Sequence, residues 1–179
     1  MPFNSPDLDT FKAELDGNIS AIEKLKTDSH ATIKIQSLLN LTAYVLATRF
    51  LEGSVKHIIY NCCKIRGDSD VQLEALIIDL KGFNNPEFSL TRDKILAKIS
   101  FDISSGQTAG KFSFSDISFV NEIVKNRHRN VHASPEPSEW YNKNLKDLTD
   151  FRKEYVGLIN IVTYLDSIVY DSASAVFRH

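Results

Sequence analysis

The stretch Arg127-His128-Arg129-Asn130-Val131-His132 sets an arginine and a histidine five positions apart where an amphipathic pattern ends. A guanidinium keeps its charge in a protein and grips phosphate oxygens in a planar fork, whereas an imidazole takes or gives a proton near neutral pH. Such a pair has the groups needed to break an RNA strand without a metal: one to move a proton, one to hold charge on the phosphorus oxygens.

On a straight helix, at about 100° per residue, five positions put Arg127 and His132 roughly 140° apart, so they would not share a face. Pro135 and Pro137 take the chain out of helix soon afterwards. Either the helix frays and the two side chains converge, or two copies of the motif meet across a twofold axis. The second option predicts a homodimer with its site at the interface. Lys125, Arg127 and Arg129 also have a simpler use, since basic groups in a last turn complement the helix dipole. His128 and His132 stand four apart, like a zinc pair. Arg129 occupies the place where a His-Glu-x-x-His protease needs its glutamate, and a cation there opposes a divalent ion. No metal and no cofactor is expected.

Earlier in the chain, Glu52 and Lys56 lie four apart in the order that favours a helical ion pair. Their surroundings, Phe50, Leu51 and Val55, are apolar, and a carboxylate drawn into such surroundings needs a partner. Besides Lys56, Arg127 is a candidate for that role.

These groups must be held by the fold. At 179 residues the chain suits one domain, 1–179, with a sizeable core. Its 42% hydrophobic and 25% charged residues are those of a globular protein. Twenty-one Lys and Arg against 23 Asp and Glu leave a net charge of -2, which excludes a molecule-wide field for polyanions. Any nucleic-acid contact must be local, at Lys125, Arg127, His128, Arg129 and His132. No apolar run approaches the ~20 residues of a membrane span, and Met1-Pro2-Phe3-Asn4-Ser5 lacks the basic-then-apolar start of a signal region. A cytoplasmic protein with no membrane partner is expected. Cys62 and Cys63 are adjacent, which suits neither a Cys-x-x-Cys pair nor a loop-closing disulfide, so reduced thiols near a helix end are expected.

Ser5-Pro6-Asp7 carries a cap residue, a proline suited to the first turn and an acid to match the dipole. A helix follows to about residue 27, with Leu8, Phe11, Leu15, Ile19, Ile22 and Leu25 on one face. From about His30 to Lys64 there is no proline and one glycine, Gly53. Two apolar stripes run there, one through Ile35, Leu38, Leu39, Val45, Leu46 and Phe50, the other through Leu41, Tyr44, Leu51, Val55, Ile58 and Ile59. A helix so broadly apolar is the centre of a bundle.

Residues 66–114 read as a variable insertion, with helices over Val71–Leu80 and Ser89–Ile99 and an exposed loop at Ser104–Gly110. A helix opens at Ser115-Asp116 and carries Ile117, Val120, Ile123 and Val124 toward Arg127. After the prolines, Leu145, Leu148, Phe151, Tyr155, Leu158, Ile159, Val162, Leu165 and Val169 trace a last long helix. No alternation argues for a sheet, so the fold class is all-α. Trp140 and Tyr141 are taken as core-capping residues, and His57 and His30 as histidines with no partner at useful spacing.

Arg127-His128-x-x-x-His132 resembles the Arg-polar-x-x-x-His signature of the HEPN superfamily, and Glu52-x-x-x-Lys56 resembles its acidic and basic positions on an earlier helix. The order of elements is similar to the RiboL-PSP type: a long apolar helix carrying Arg-Phe-Leu-Glu-Gly-Ser-Val-Lys at 49–56, a variable middle, the motif, then a last long helix. The resemblance covers roughly residues 30–170. It implies an all-α HEPN-like bundle that dimerises with two motifs facing each other and acts as a metal-independent endoribonuclease, in toxin–antitoxin or phage-defence systems. Carried over, Arg127 and His132 take the catalytic places and His128 the polar one. Glu52 and Lys56 support them. Asn130 has no firm counterpart and is counted with the supporting or substrate-binding positions. Ala133 departs from the glycine that many relatives carry after the histidine, which bears on the local turn.

The expected reaction is attack of a 2′-hydroxyl on the neighbouring phosphate, leaving a cyclic phosphate and a 5′-hydroxyl. The partners expected are RNA, a second copy of the chain and a cognate antitoxin or other defence protein. The alternative is a non-catalytic HEPN-like helical module that binds a protein, RNA or nucleotide. A nucleotide-modifying enzyme has less to stand on, since no Gly-x-x-x-x-Gly-Lys-Ser/Thr loop occurs.

Overall fold

The computed structural model describes residues 2–28, 33–131 and 148–179, with the side chains of 26–28, 33–37 and 128–131 left out. Among the described residues there are seven helices and one short hairpin. These are α1 (Pro6–Asp28), α2 (Ile33–Arg66), α3 (Asp70–Lys81), α4 (Phe88–Ile99), α5 (Ser104–Thr108), α6 (Phe114–Val131) and α7 (Leu148–Asp166), then β1 (Val169–Asp171) and β2 (Val176–Arg178). The all-α class is that expected from the sequence, and the hairpin is its one addition.

The 34 residues of α2 make a rod of about 50 Å. α1, α3, α4, α6, α7 and β1 all pack on it. The stripe through Tyr44, Leu51, Val55, Ile58 and Ile59 is buried as its spacing predicts, whereas the other stripe is covered unevenly: Phe50 is buried, Leu39 and Leu46 are half-buried and Leu38 is exposed. Phe151 of α7, fully buried, meets Tyr44 of α2 edge-on at 5.3 Å and Phe119 of α6 at 5.8 Å between ring centres. Edge-to-face contacts of this kind add specific geometry to the area they bury.

α1 lies along α2 and is tied at both ends. Ser5 does not cap α1 with its own hydroxyl, as its position suggested; the hydroxyl lies 2.9 Å from His57 Nε2 on α2. Asn61 and Asp7 also reach that nitrogen, at 2.8 and 3.5 Å, so His57 has the partners that spacing along the chain did not reveal. The amides of Asn4 and Ser5 donate to the Asp166 carboxylate at the far end of the chain. Toward the other end of α1, Arg152 of α7 forks onto Glu23 at 2.7 and 2.8 Å, and at the middle of α1 the Tyr155 hydroxyl donates to Asp16 at 2.9 Å. Burial first, then that bond, raises the Tyr155 pKa.

The middle region folds on local signals. Ser69 and Gln72 close a capping box at the start of α3. α4 ends on Ser100 with φ 56°, a left-handed cap, and both helices lie against α2. Ser104–Gly110, read as an exposed loop, holds the short helix α5 in its place. The reason is Gly106, buried where a Cβ would stand 2.5 Å from the Phe112 ring and 2.6 Å from that of Tyr164.

The last helix stops at Asp166, so Val169 is not on its face but in β1, paired with Arg178. Asp171 builds the turn by accepting from the Ala173 amide at 3.0 Å and the Ser174 hydroxyl at 2.7 Å. With three residues per strand and Phe177 as the buried member of β2, there is too little alternation to read from sequence. Cys62 and Cys63 are buried free thiols in the last turns of α2, and burial, reinforced by Cys63, pushes the Cys62 pKa up to about 12. No described helix is long and apolar enough to cross a membrane.

Two glycines make opposite predictions. A Cβ on Gly157 of α7 would lie 2.7 Å from Asp116 Oδ1 and 3.0 Å from Asp116 Cα on α6. Asp116 is held by the Ser113 amide at 2.7 Å, so its carboxylate is not free to swing away. Gly157→Ala should therefore cost about 1–3 kcal/mol in urea unfolding. Gly53→Ala, whose Cβ meets nothing within 4 Å, should instead stabilise by about 0.5–1 kcal/mol.

Acid should loosen the fold. Glu23, Asp68 and Asp79 are each held below the usual carboxylate range, by hydrogen bonds from Arg152, from Arg66, and from Lys98 and Lys94 respectively. A lowered native pKa means that the folded chain holds fewer protons than the unfolded one. The stabilisation is therefore full above the unfolded value, about pH 4, and lost as pH falls through the native values. Melting temperature measured across this range should drop below about pH 4 and recover on return to neutrality.

Candidate functional site

The apolar face of α6 does the positioning. Ser113 and Asp116 form its opening box, and Ile117, Val120, Ile123 and Val124 are buried beyond it. The Thr48 hydroxyl of α2 donates to the Tyr44 carbonyl at 2.9 Å and to the Ile123 carbonyl of α6 at 3.3 Å. One turn further on each helix, Arg127 Nη1 stands 3.9 Å from Glu52 Oε2. Thr48 with Ile123 and Glu52 with Arg127 have the same sequence offset, so α2 and α6 advance in the same direction along this seam. The seam delivers the guanidinium to the carboxylate.

Three charged groups gather here. Lys56 Nζ donates to Glu52 Oε1 at 2.7 Å, leaving Oε2 toward Arg127. The side chains of Arg127, Glu52 and Lys56 retain 28%, 20% and 25% of their exposure. They are thus sheltered enough to be held and open enough to be reached. The third side of the site is the α3–α4 connection, whose Asn84 carbonyl accepts from Arg127 Nη1 at 2.6 Å. The same connection is fixed to α6 at its end, where the Phe88 amide donates to Asn121 Oδ1 at 2.9 Å.

Of the residues singled out in the sequence, Arg127, Glu52 and Lys56 are therefore brought together. The Glu52 and Lys56 ion pair and the approach of Arg127 to Glu52 are both as expected. His132 lies outside the described residues, as do the side chains of His128 and Asn130, and Trp140 and Tyr141. Asn84 was not legible in the sequence, because it takes part through a backbone carbonyl that any residue supplies. Among the described residues, no three His, Cys, Asp or Glu side chains gather as metal ligands.

Chemically, the arrangement is two cations on one carboxylate, Lys56 bonded to it and Arg127 near it, a net positive charge that suits an oxyanion. Glu52 and the Asn84 carbonyl both draw on Nη1, and among the described residues no other acceptor is bonded to the remaining N–H groups, which are the ones suited to an oxyanion. Compared with known proteins, the chain matches no family model, and no curated protein or solved structure shows significant similarity to it.

The cluster should contribute little to stability. Exposed or half-exposed ion pairs are worth ~0–1 kcal/mol. A double-mutant cycle on Glu52→Gln and Lys56→Met, followed by urea unfolding, should give a coupling below about 1 kcal/mol. A larger coupling would mark the pair as a structural brace.

Proposed function

We propose that the protein is a metal-independent endoribonuclease of HEPN type. The observation that supports this best is the approach of Arg127 to Glu52 beside Lys56, three charged groups at positions that resemble the family's own. Continuing the α2–α6 register for one more turn sets Val131, the last residue of α6, level with Lys56. His132, the next residue in sequence, lies outside the described residues and enters this reading through the motif.

In this reading the 2′-hydroxyl of one nucleotide attacks the adjoining phosphorus. The hydroxyl loses its proton, the bond from phosphorus to the 5′-oxygen breaks, and that oxygen gains a proton. The products are a 2′,3′-cyclic phosphate and a 5′-hydroxyl. His132 moves a proton in this exchange, and Arg127 takes up the charge that builds on the non-bridging oxygens. General acid–base help is worth ~10²–10⁴-fold, so charge stabilisation by the guanidinium supplies much of the remainder. Glu52 is a positioning residue, acting through Arg127. Lys56 balances Glu52 or meets a neighbouring phosphate, and His128 orients the substrate.

Two motifs facing each other across a twofold axis would give each site a second arginine and histidine, which favours a homodimer as the working form. A cytoplasmic toxin or phage-defence effector, checked by an antitoxin, is the role that fits such an activity.

Purified protein should cleave RNA in EDTA and leave DNA of the same sequence intact, because DNA lacks the attacking hydroxyl. Arg127→Ala and His132→Ala should each lower the cleavage rate by at least ~100-fold with unchanged circular dichroism. Undiminished cleavage by both variants would sink the assignment. Binding of RNA with no cleavage by the wild type would favour the non-catalytic module instead.

A further inference from the structure

Between α1 and α2 there is an open groove of about 230 Å³, lined by Phe11, Leu46, Phe50 and Gly53 among others. Arg49 lines it, and Asn18 and Glu14 stand at its α1 side. Two features of this groove have no explanation within the described chain. Arg49 is exposed and has no hydrogen-bond or ion-pair partner among the described residues. Gly53 sits in mid-helix, where glycine is costly, yet a Cβ there would meet nothing within 4 Å. Among the described residues, packing does not call for a glycine at 53 and no acid pairs with Arg49. Both facts fit a ligand that is anionic and comes close to the α2 backbone.

The location narrows the ligand. Arg49, Glu52, Gly53 and Lys56 follow one another at steps of three, one and three, so they share a face of α2. The groove therefore lies beside the cluster, on the face of α2 that also carries Glu52 and Lys56. Arg49 and Lys56 are two turns apart, about 10 Å along the axis, so one strand lying on α2 reaches both. The volume is below the ~300–1,000 Å³ of pockets for drug-sized ligands, which suits a single ring-bearing unit rather than a partner helix.

We infer that this groove is a subsite for one nucleotide of single-stranded RNA, next to the nucleotide being cut. The inference rests on the ribonuclease reading of the adjoining cluster. Arg49 takes the phosphate, the apolar wall at Phe11 and Leu46 takes the base, and Gly53 leaves room for the sugar. Asn18 and Glu14 offer acceptors and a donor to the edge of the base.

The test uses fluorescein-labelled 2′-O-methyl octanucleotides of A, C, G and U, which cannot be cut because the attacking hydroxyl is blocked. Anisotropy titrations would compare the full-length wild type with Arg49→Ala, Gly53→Leu and Gly53→Ala. Arg49→Ala should weaken binding about 10-fold and lower the slope of log K against log salt by about 0.7, the loss of one phosphate contact on a single strand. Arg49→Lys should restore the slope. Gly53→Leu, a good helix former that fills the groove, should weaken binding to a similar degree. Gly53→Ala should raise the melting temperature by ~2–4 °C and serves as the folding control. On cleavable RNA, Arg49→Ala should raise KM and leave kcat within about twofold, unlike Arg127→Ala, which acts on kcat.

Cleavage and binding by the wild type, with both Arg49→Ala and Gly53→Leu matching it, would overturn the subsite and leave the ribonuclease reading standing. Absence of both cleavage and binding in the wild type would overturn the two together. A change in sedimentation on Gly53→Leu with unaltered oligonucleotide affinity would assign the groove to a second copy of the chain and overturn the inference.

Discussion

Covering α2 is the constraint from which the rest of the molecule follows. A rod of 34 residues with apolar side chains on most of its circumference cannot face water, and one neighbouring helix covers only one side. α1, α6, α7 and the shorter helices of the middle region close around it. A stretch left partly open runs through Leu46, Arg49, Glu52, Gly53 and Lys56. Arg49, Glu52 and Lys56 thus stand on a partly open line of the central helix, backed by its packed face.

The position of Arg127 depends on that packing rather than on its own turn of helix. α6 is seated by buried Val120, Ile123 and Val124 and by the Thr48 hydroxyl reaching across to the Ile123 carbonyl. A guanidinium has a long, flexible stem and would otherwise sample many directions. Here its path is set by the seam, and its head is fixed by Glu52 on one side and the Asn84 carbonyl on the other. The α3–α4 connection, read as part of a variable insertion, is thereby part of the site. Its anchorage to Asn121 makes it a support for α6 and not a mere excursion.

Long-period signals were legible and short or three-dimensional ones were not. The long central helix, the two middle helices and the helix carrying the motif all fall where apolar spacing, prolines and capping residues put them. The association of Glu52 with Lys56 could be read from four-residue spacing, and its approach to Arg127 from the need of a sheltered carboxylate for a partner. Three features escaped. The α5 turn depends on Gly106 fitting under two aromatic rings that are distant in sequence. Two partners of His57 are Ser5, 52 residues away just before α1, and Asp7 in its first turn. The terminal hairpin is too short for its alternation to stand out. Arg49 and Gly53 had a signal that went unused: with Glu52 and Lys56 they complete a single helical face.

The Asp166 carboxylate, which receives the amides of Asn4 and Ser5, joins positions more than 160 residues apart. During synthesis the first helix emerges long before the residue that holds its leading end has been made. Its apolar face, Leu8 through Ile22, packs on α2, which follows directly in the chain, while its leading end depends on the C-terminal helix. α1 is thus held in two ways, by a local contact with the helix that follows it and by closing bonds from far along the chain.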